Sequence, residues 1–285
     1  MSEALVLCRF VHFTVVLMLF GAWLFRPLLL KGEALELDRH LTRLARWLAA
    51  VALVSGIAWA LLITASMAGS AAAAFDPDTI ALVLGNTFFG QVWRWHLLIN
   101  AVLLALLFTP WRSSMPLRLG LSGLLLATLA PVGHGAMLDG LSGQLLILNQ
   151  IVHLTCVAAW LGGLLLLLVM ILRQPSELRG VLQRFSGVGY WLVAGLLITG
   201  LINVRVLTGQ WWPTPLFSGF ALILLIKAMI VLGMLGLALF NRLRMEDCEQ
   251  RIGTLKRSVM LEWLLGIGAV AAVSLLGTLP PMITT

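Results

Sequence analysis

Five histidines are the residues best suited to chemistry in this 285-residue chain. Four of them share a placement. His12 lies about two helical turns into the first apolar run, and His153 about two turns into the fifth. His134, in Gly133-His134-Gly135, closes the fourth run, and His96 stands about one turn into the third. His40, in a basic loop, reads as solvated. Neutral imidazole is the commonest side-chain metal ligand, and it suits copper, zinc, iron and nickel alike. A single histidine in an apolar helix more often serves packing; several at one depth point to a site that takes a metal ion. His12, His134 and His153 are the expected ligands, with His96 ranked below them.

The neighbours add to this chemistry. Asn149 and His153 are four apart and share a helix face, so Asn149 can orient the ring. Cys8 precedes His12 by four residues, and Cys156 follows His153 by three. A thiolate from either suits Cu(I), although a buried cysteine is more often a small hydrophobe. Arg9, three residues before His12, keeps that imidazole neutral while repelling an incoming cation. Ionisable residues inside a membrane are costly and mark candidate functional positions. Lys227 and Glu262 are two such residues and are candidates for an inner path. Glu262 is expected to pair with a basic residue at the inner face, Arg242 or Arg184. Met67 and Met137 offer thioethers near span ends, but methionine is too common a filler to decide anything.

The elements that must position these residues follow from composition. With 60% hydrophobic and 11% charged residues, the chain is an integral membrane protein rather than a soluble enzyme or a nucleic-acid binder. Its net charge of +7 belongs to topology. Eight apolar runs are long enough to suggest membrane helices: Ala4–Leu30, Leu44–Ala68, Val92–Phe108, Leu117–Gly133, Leu145–Leu172, Phe185–Leu207, Phe217–Phe240 and Val259–Leu279. Fifteen of the nineteen basic residues fall in or beside the loops that follow the odd-numbered runs. The positive-inside rule then places both termini outside the cytoplasm. Glu3 ahead of a long first run predicts no cleavable signal peptide. Trp47, Trp93, Trp95, Trp111 and the Trp211-Trp212-Pro213 loop read as interfacial anchors. Three cysteines, Cys8, Cys156 and Cys248, give no disulfide framework.

The chain also resembles itself. Val11-His12-Phe13-Thr14 recurs as Val152-His153-Leu154-Thr155, an offset of 141 residues shared by Gly21 with Gly162 and by Arg43 with Arg184. Ser55-Gly56 and Thr199-Gly200 match at 144. The expected fold is all-α and polytopic: eight transmembrane helices in one domain over residues 1–285, with two parallel four-helix repeats, 1–140 and 141–285. Repeats of even span number share one orientation and imply a pseudo-two-fold axis along the membrane normal. His12 and His153 would then face each other at equal depth. Gly162-Gly163 and other small residues suit close helix packing.

Arg9-Phe10-Val11-His12-Phe13, Gly133-His134-Gly135 and Asn149-Gln150-Ile151-Val152-His153, with Ala158-Ala159-Trp160-Leu161-Gly162-Gly163 beyond, resemble the CopD/PcoD-type copper-resistance membrane proteins. Thr87-Phe88-Phe89-Gly90, Arg184-Phe185-Ser186, Lys227 and Pro280-Pro281 fit the same pattern, with Gly135 standing where alanine is expected. The resemblance implies a bacterial inner-membrane protein that handles or imports a copper ion from the periplasm. It implies copper-site roles for His12, His134 and His153, with Asn149 beside them, and a separate periplasmic copper carrier of the CopC type as partner. The bilayer is the other partner, nucleic acid is not one, and a homo-oligomer is left open. No Walker loop, nucleophile elbow, His-Glu-x-x-His or Cys-x-x-Cys motif is present, so no enzyme activity is expected. A rival reading is a b-type haem electron-transfer protein, His12 and His153 supplying two axial imidazoles. The oxidation state of the copper, the direction of its movement and the coupling ion are not written in the residues.

Overall fold

The structure is a computed structural model and describes residues 2–30, 35–133, 138–173, 178–217, 219–243 and 252–279. Among the described residues nine α-helices and two short 3₁₀ turns account for the regular structure, with no strand. The helices are α1 (Ser2–Leu29), α2 (Leu35–Ala68), α3 (Pro77–Asn86), α4 (Phe88–Leu106), α5 (Met115–Ala127), α6 (Gly140–Arg173), α7 (Leu178–Thr208), α8 (Gly219–Leu243) and α9 (Ile252–Leu276).

Every expected apolar run coincides with a helix, but the runs are not equal. Six helices, α1, α2, α6, α7, α8 and α9, are long and apolar enough to cross a membrane. The α4 helix has 19 residues but carries Gln91, Arg94, His96 and Asn100 along it. The α5 helix has 13 residues and rises only about 20 Å at 1.5 Å per residue, short of a hydrocarbon core of about 30 Å. Its run ends in turns from Thr128 onward, where apolar composition persists but the helix does not. The molecule is thus an all-α membrane protein with six helices of spanning length and apolarity among the described residues.

The connection between α2 and α4 also holds α3, which is too short to register as a membrane-length apolar run. Asp76 caps it, accepting from the backbone N–H of Thr79 at 3.1 Å, and Pro77 occupies the first turn. The Thr79 hydroxyl donates to the same carboxylate. These bonds favour the ionised form and hold the Asp76 carboxyl below its ordinary range. Thr87 then ends α3 and caps α4, its hydroxyl accepting from Gly90 N–H at 2.9 Å.

α1 is the central element, packed against α2, α5, α6, α7 and α9. Its closest neighbour is α6. A Cβ on Gly21 would lie 1.7 Å from the Ala158 carbonyl oxygen, and one on Gly162 would lie 2.4 Å from Ala22 N. The two backbones touch here, and only glycine permits it. Around this crossing Leu, Ala and Trp side chains form one continuous core. The outward faces of α7 and α8 instead expose Leu197, Ile198, Leu201, Met229 and Leu232, a surface suited to lipid.

At the end of the bundle away from α3, basic side chains close helix ends. Arg26 holds Asp38 through two bonds of 2.8 and 2.7 Å. Arg184 Nε donates to the Leu29 carbonyl at 2.7 Å, and Arg46 Nε to that of Leu107 at 3.0 Å. Carbonyls at helix C-termini lack intrahelical partners and carry partial negative charge, so cations settle there.

Candidate metal centre

α1 brings His12 against α2 and α4. The His12 ring is wholly buried, and its Nδ1 lies 2.9 Å from Ser55 Oγ. That hydroxyl donates to the Val51 carbonyl at 2.7 Å. A hydroxyl has one proton, so the His12 Nδ1–H must be the donor to Ser55. On the other side of the ring, His12 Nε2 lies 2.9 Å from His96 Nε2. His96 repeats the arrangement: its Nδ1 is 2.7 Å from Thr128 Oγ1, which gives its own proton to the Leu125 carbonyl at 2.7 Å. Both Nε2 atoms therefore present lone pairs to each other.

Two lone pairs so placed can share a cation between the rings. A proton fits at 2.9 Å. A metal at about 2.0 Å from each nitrogen needs the rings to separate by roughly another 0.5–1 Å. Metal-ligating histidines usually donate their second ring N–H to a fixed acceptor, as both rings do here. The walls are aromatic: Trp93 stacks on His96 with centroids 4.5 Å apart, and Trp59 and Trp93 flank His12 at 5.6 and 5.4 Å. Trp93 Nε1 donates to the Gly56 carbonyl at 2.9 Å. Expected at an interface, Trp93 is instead fully buried as a wall of this pair; Trp47, Trp95 and Trp111 are exposed.

His153 on α6 has the same kind of support. Its Nδ1 is 2.9 Å from Thr199 Oγ1, which donates to the Gly195 carbonyl at 2.5 Å. The parallel extends further. Cys8 Sγ donates to the Ser55 carbonyl at 3.2 Å, and Asn149, 141 residues later, donates to the Thr199 carbonyl at 3.1 Å. Asn149 therefore supports the residue that holds His153. It also donates to Asn203 Oδ1 at 2.8 Å, and Asn203 in turn donates to Gln150 Oε1 at 2.9 Å.

The two histidine surroundings differ in what faces Nε2. Where His12 meets His96 among indoles, His153 lines a cavity of about 200 Å³ shared with Arg9, Gln150, Asn203 and Lys227. Among the described residues no group of three His, Cys, Asp or Glu side chains is placed to hold a metal ion. His134 lies outside the described residues. Gly133 before it has φ +83°, a left-handed conformation that favours glycine.

The remaining candidates are placed as follows. Arg9 is buried, donates to the Gly277 carbonyl at the end of α9 at 3.3 Å and lies over Trp59. Cys156 is buried, and a Cβ on Gly195 would come within 2.8 Å of its sulfur. Glu262 does not pair with Arg242 or Arg184. It accepts from Trp160 Nε1 at 2.8 Å and from Asn241 Nδ2 at 3.3 Å, while Arg242 donates to Ser186 and covers Tyr190, and Arg184 caps α1. Neutral donors satisfy this carboxyl, and the cations find carbonyls and a ring face nearer their own helix ends. Trp160 also lines both the His153 cavity and a second one of about 220 Å³ that contains Glu262.

The haem reading finds no support. Its expected axial pair is His12 with His153, and His12 is already taken by direct ring contact with His96, with no slot for a macrocycle between them.

Comparison with known proteins accords with the resemblance. Residues 1–144 match the model for the copper resistance protein D-like N-terminal domain, and residues 179–276 match that for copper resistance protein D. Inner membrane protein YebZ of Escherichia coli K12 is 32% identical, over 96% of this chain and 97% of that protein. Copper resistance protein D of Pseudomonas syringae pv. tomato is 28% identical, over 96% of this chain and 95% of its own. Copper transport protein CutJ of Bacillus subtilis 168 is 26% identical over 95% of this chain, but over only 52% of that longer protein. No solved structure gives a significant match. A chain matched along nearly its whole length in this way belongs to the copper resistance protein D family.

Proposed function

We propose that this chain takes up copper from the periplasm through buried imidazoles in the outer half of an inner-membrane bundle, with His12 and His96 at the centre of the site. The observation that carries the reading is the pair of Nε2 atoms 2.9 Å apart, each ring anchored at Nδ1 by a hydroxyl that is already donating. His134 is the further imidazole of that half proposed for the path, while His153, supported in the same way at Nδ1, lines a separate cavity. The copper named in the relatives' titles supports copper as the cargo. A site of two neutral imidazole nitrogens suits Cu(I), a d10 ion that accepts two-coordinate binding.

All eight apolar runs cross the bilayer in this reading, the α5 run completing its passage through the turns from Thr128 onward, where Leu129 and Ala130 are buried in protein. Both termini and α3 face the periplasm in this reading, which the basic residues at the opposite end support. The halves 1–140 and 141–285 are parallel repeats about an axis through Gly21 and Gly162. A separate carrier of the CopC type delivers the ion. The test is cell-associated copper together with Cu(I) binding by purified protein. His12→Ala and His96→Ala are each expected to abolish binding and to bring accumulation to the level of cells lacking the protein. Wild-type values in both variants reject the proposal.

A further inference from the structure

The two halves place different residues opposite their anchored histidine. α4 and α8 align at an offset of 131 residues. Gly90, Trp93 and Leu103 are buried on α4, and Ala221, Leu224 and Met234 are buried on α8 at the same register. On that face His96 corresponds to Lys227. In the first half the His12 Nε2 meets the His96 Nε2; in the second His153 and Lys227 line one cavity. Trp59 on α2, at the offset of 144, corresponds to Asn203 on α7. An indole wall is thereby replaced by an amide, and the packed site of one half becomes an open chamber in the other.

We infer that Lys227 supplies a tethered cation in place of a metal ion, so that the chain holds one copper, at His12 and His96, and none at His153. The inference rests on the copper reading above and narrows it. A bare cation entering the second chamber meets Lys227 and Arg9, with no carboxylate among the residues that line it. The His153 Nε2 has a lone pair, because its Nδ1–H is committed to Thr199. Lys227 stands in the same cavity as that ring and places a cation there without a ligand from outside. Among the described residues, the polar and ring contacts of His12 and His96 are Ser55, Thr128, each other and the indoles, and Arg9 stands over the face of Trp59 rather than against either imidazole. The duplication, if complete, would have made two metal sites; a lysine at one position leaves one.

The experiment is anaerobic Cu(I) titration of the purified full-length protein against a chromophoric Cu(I) chelator, with size-exclusion profiles showing that each variant is folded. Wild type is expected to bind one equivalent. His153→Asn is expected to keep that equivalent with affinity within about twofold. Lys227→His, which restores an imidazole opposite His153, is expected to bind two, and the second is expected to vanish in the Lys227→His, His153→Asn double variant. A Lys227→His protein that still binds one equivalent overturns the inference. So does a His153→Asn protein that loses copper or binds it more than about tenfold more weakly. Should wild type bind none, the copper reading itself fails, a result distinct from either of these.

Discussion

At the residue scale, orientation of the rings matters as much as their identity. Ser55 and Thr128 each accept an imidazole proton only because their own proton is directed to a carbonyl one turn back. Ser55→Ala is expected to weaken Cu(I) binding about 10–100-fold, the usual cost of losing a partner of a metal-bound histidine. Thr199→Ala, acting on the other half, is expected to leave it unchanged, and the same chelator titration checks both. The positions of His12, His96 and His153 along their runs were legible in sequence, but the ring of His153 was expected to be oriented by Asn149, whereas Thr199 holds it and Asn149 bonds the Thr199 carbonyl. The His12–His96 contact was not legible: depth agreement says nothing of which helix faces meet, and that depends on how α2 and α5, each packed on both α1 and α4, set two rings 84 residues apart against each other. Glu262 was misassigned for a related reason. A search for its partner by charge overlooks the indole N–H of Trp160 and the amide of Asn241, which carry none. Since the carboxyl is only 2% exposed, Glu262→Ala leaves two donors unmatched and is expected to destabilise the fold by about 1–3 kcal/mol, seen as a lower Tm in detergent.

At the scale of elements, the α1–α6 crossing and α3 show opposite degrees of legibility. Gly21 and Gly162 stood out through their shared offset, and they meet at the tightest helix contact. Gly162→Val is expected to lower stability by about 3 kcal/mol or to prevent folding, since the new Cβ meets backbone that cannot rotate away. Gly236→Ala, in open space, is expected to leave Tm unchanged or slightly raised. The α3 helix escaped a search for spans because it is short, although Asp76-Pro77 is a capping signature visible in the residues. Its cap has a defined pH response. The Asp76 carboxyl titrates below its unfolded value, so the cap's contribution is complete above the ordinary carboxylate range near 3.9 and is lost as pH falls through the lower folded value. Amide exchange in residues 79–82 is expected to stay constant from pH 7 down to about 4.5, after correction for intrinsic rates, and to quicken below that. Asp76→Ala is expected to show the fast regime throughout.

At the scale of the whole molecule, hydropathy located all eight apolar helices but overstated two of them. It averages over a window, so the polar residues of α4 and the early end of α5 were hidden by leucine-rich neighbours. The proposed orientation is tested with alkaline phosphatase fused to the C-terminus. High activity is expected, because the enzyme folds only after export, whereas an inactive fusion of normal abundance reverses the topology.

The glycine crossing has a consequence for ancestry. If one four-helix gene was duplicated, Gly21 and Gly162 descend from a single residue that touched its own copy in a parallel homodimer. The present chain would then be that dimer with its subunits joined, free since the joining to let one subunit change alone. Residues 1–140 and 141–285, produced as separate polypeptides in one cell, should accordingly find each other and copurify.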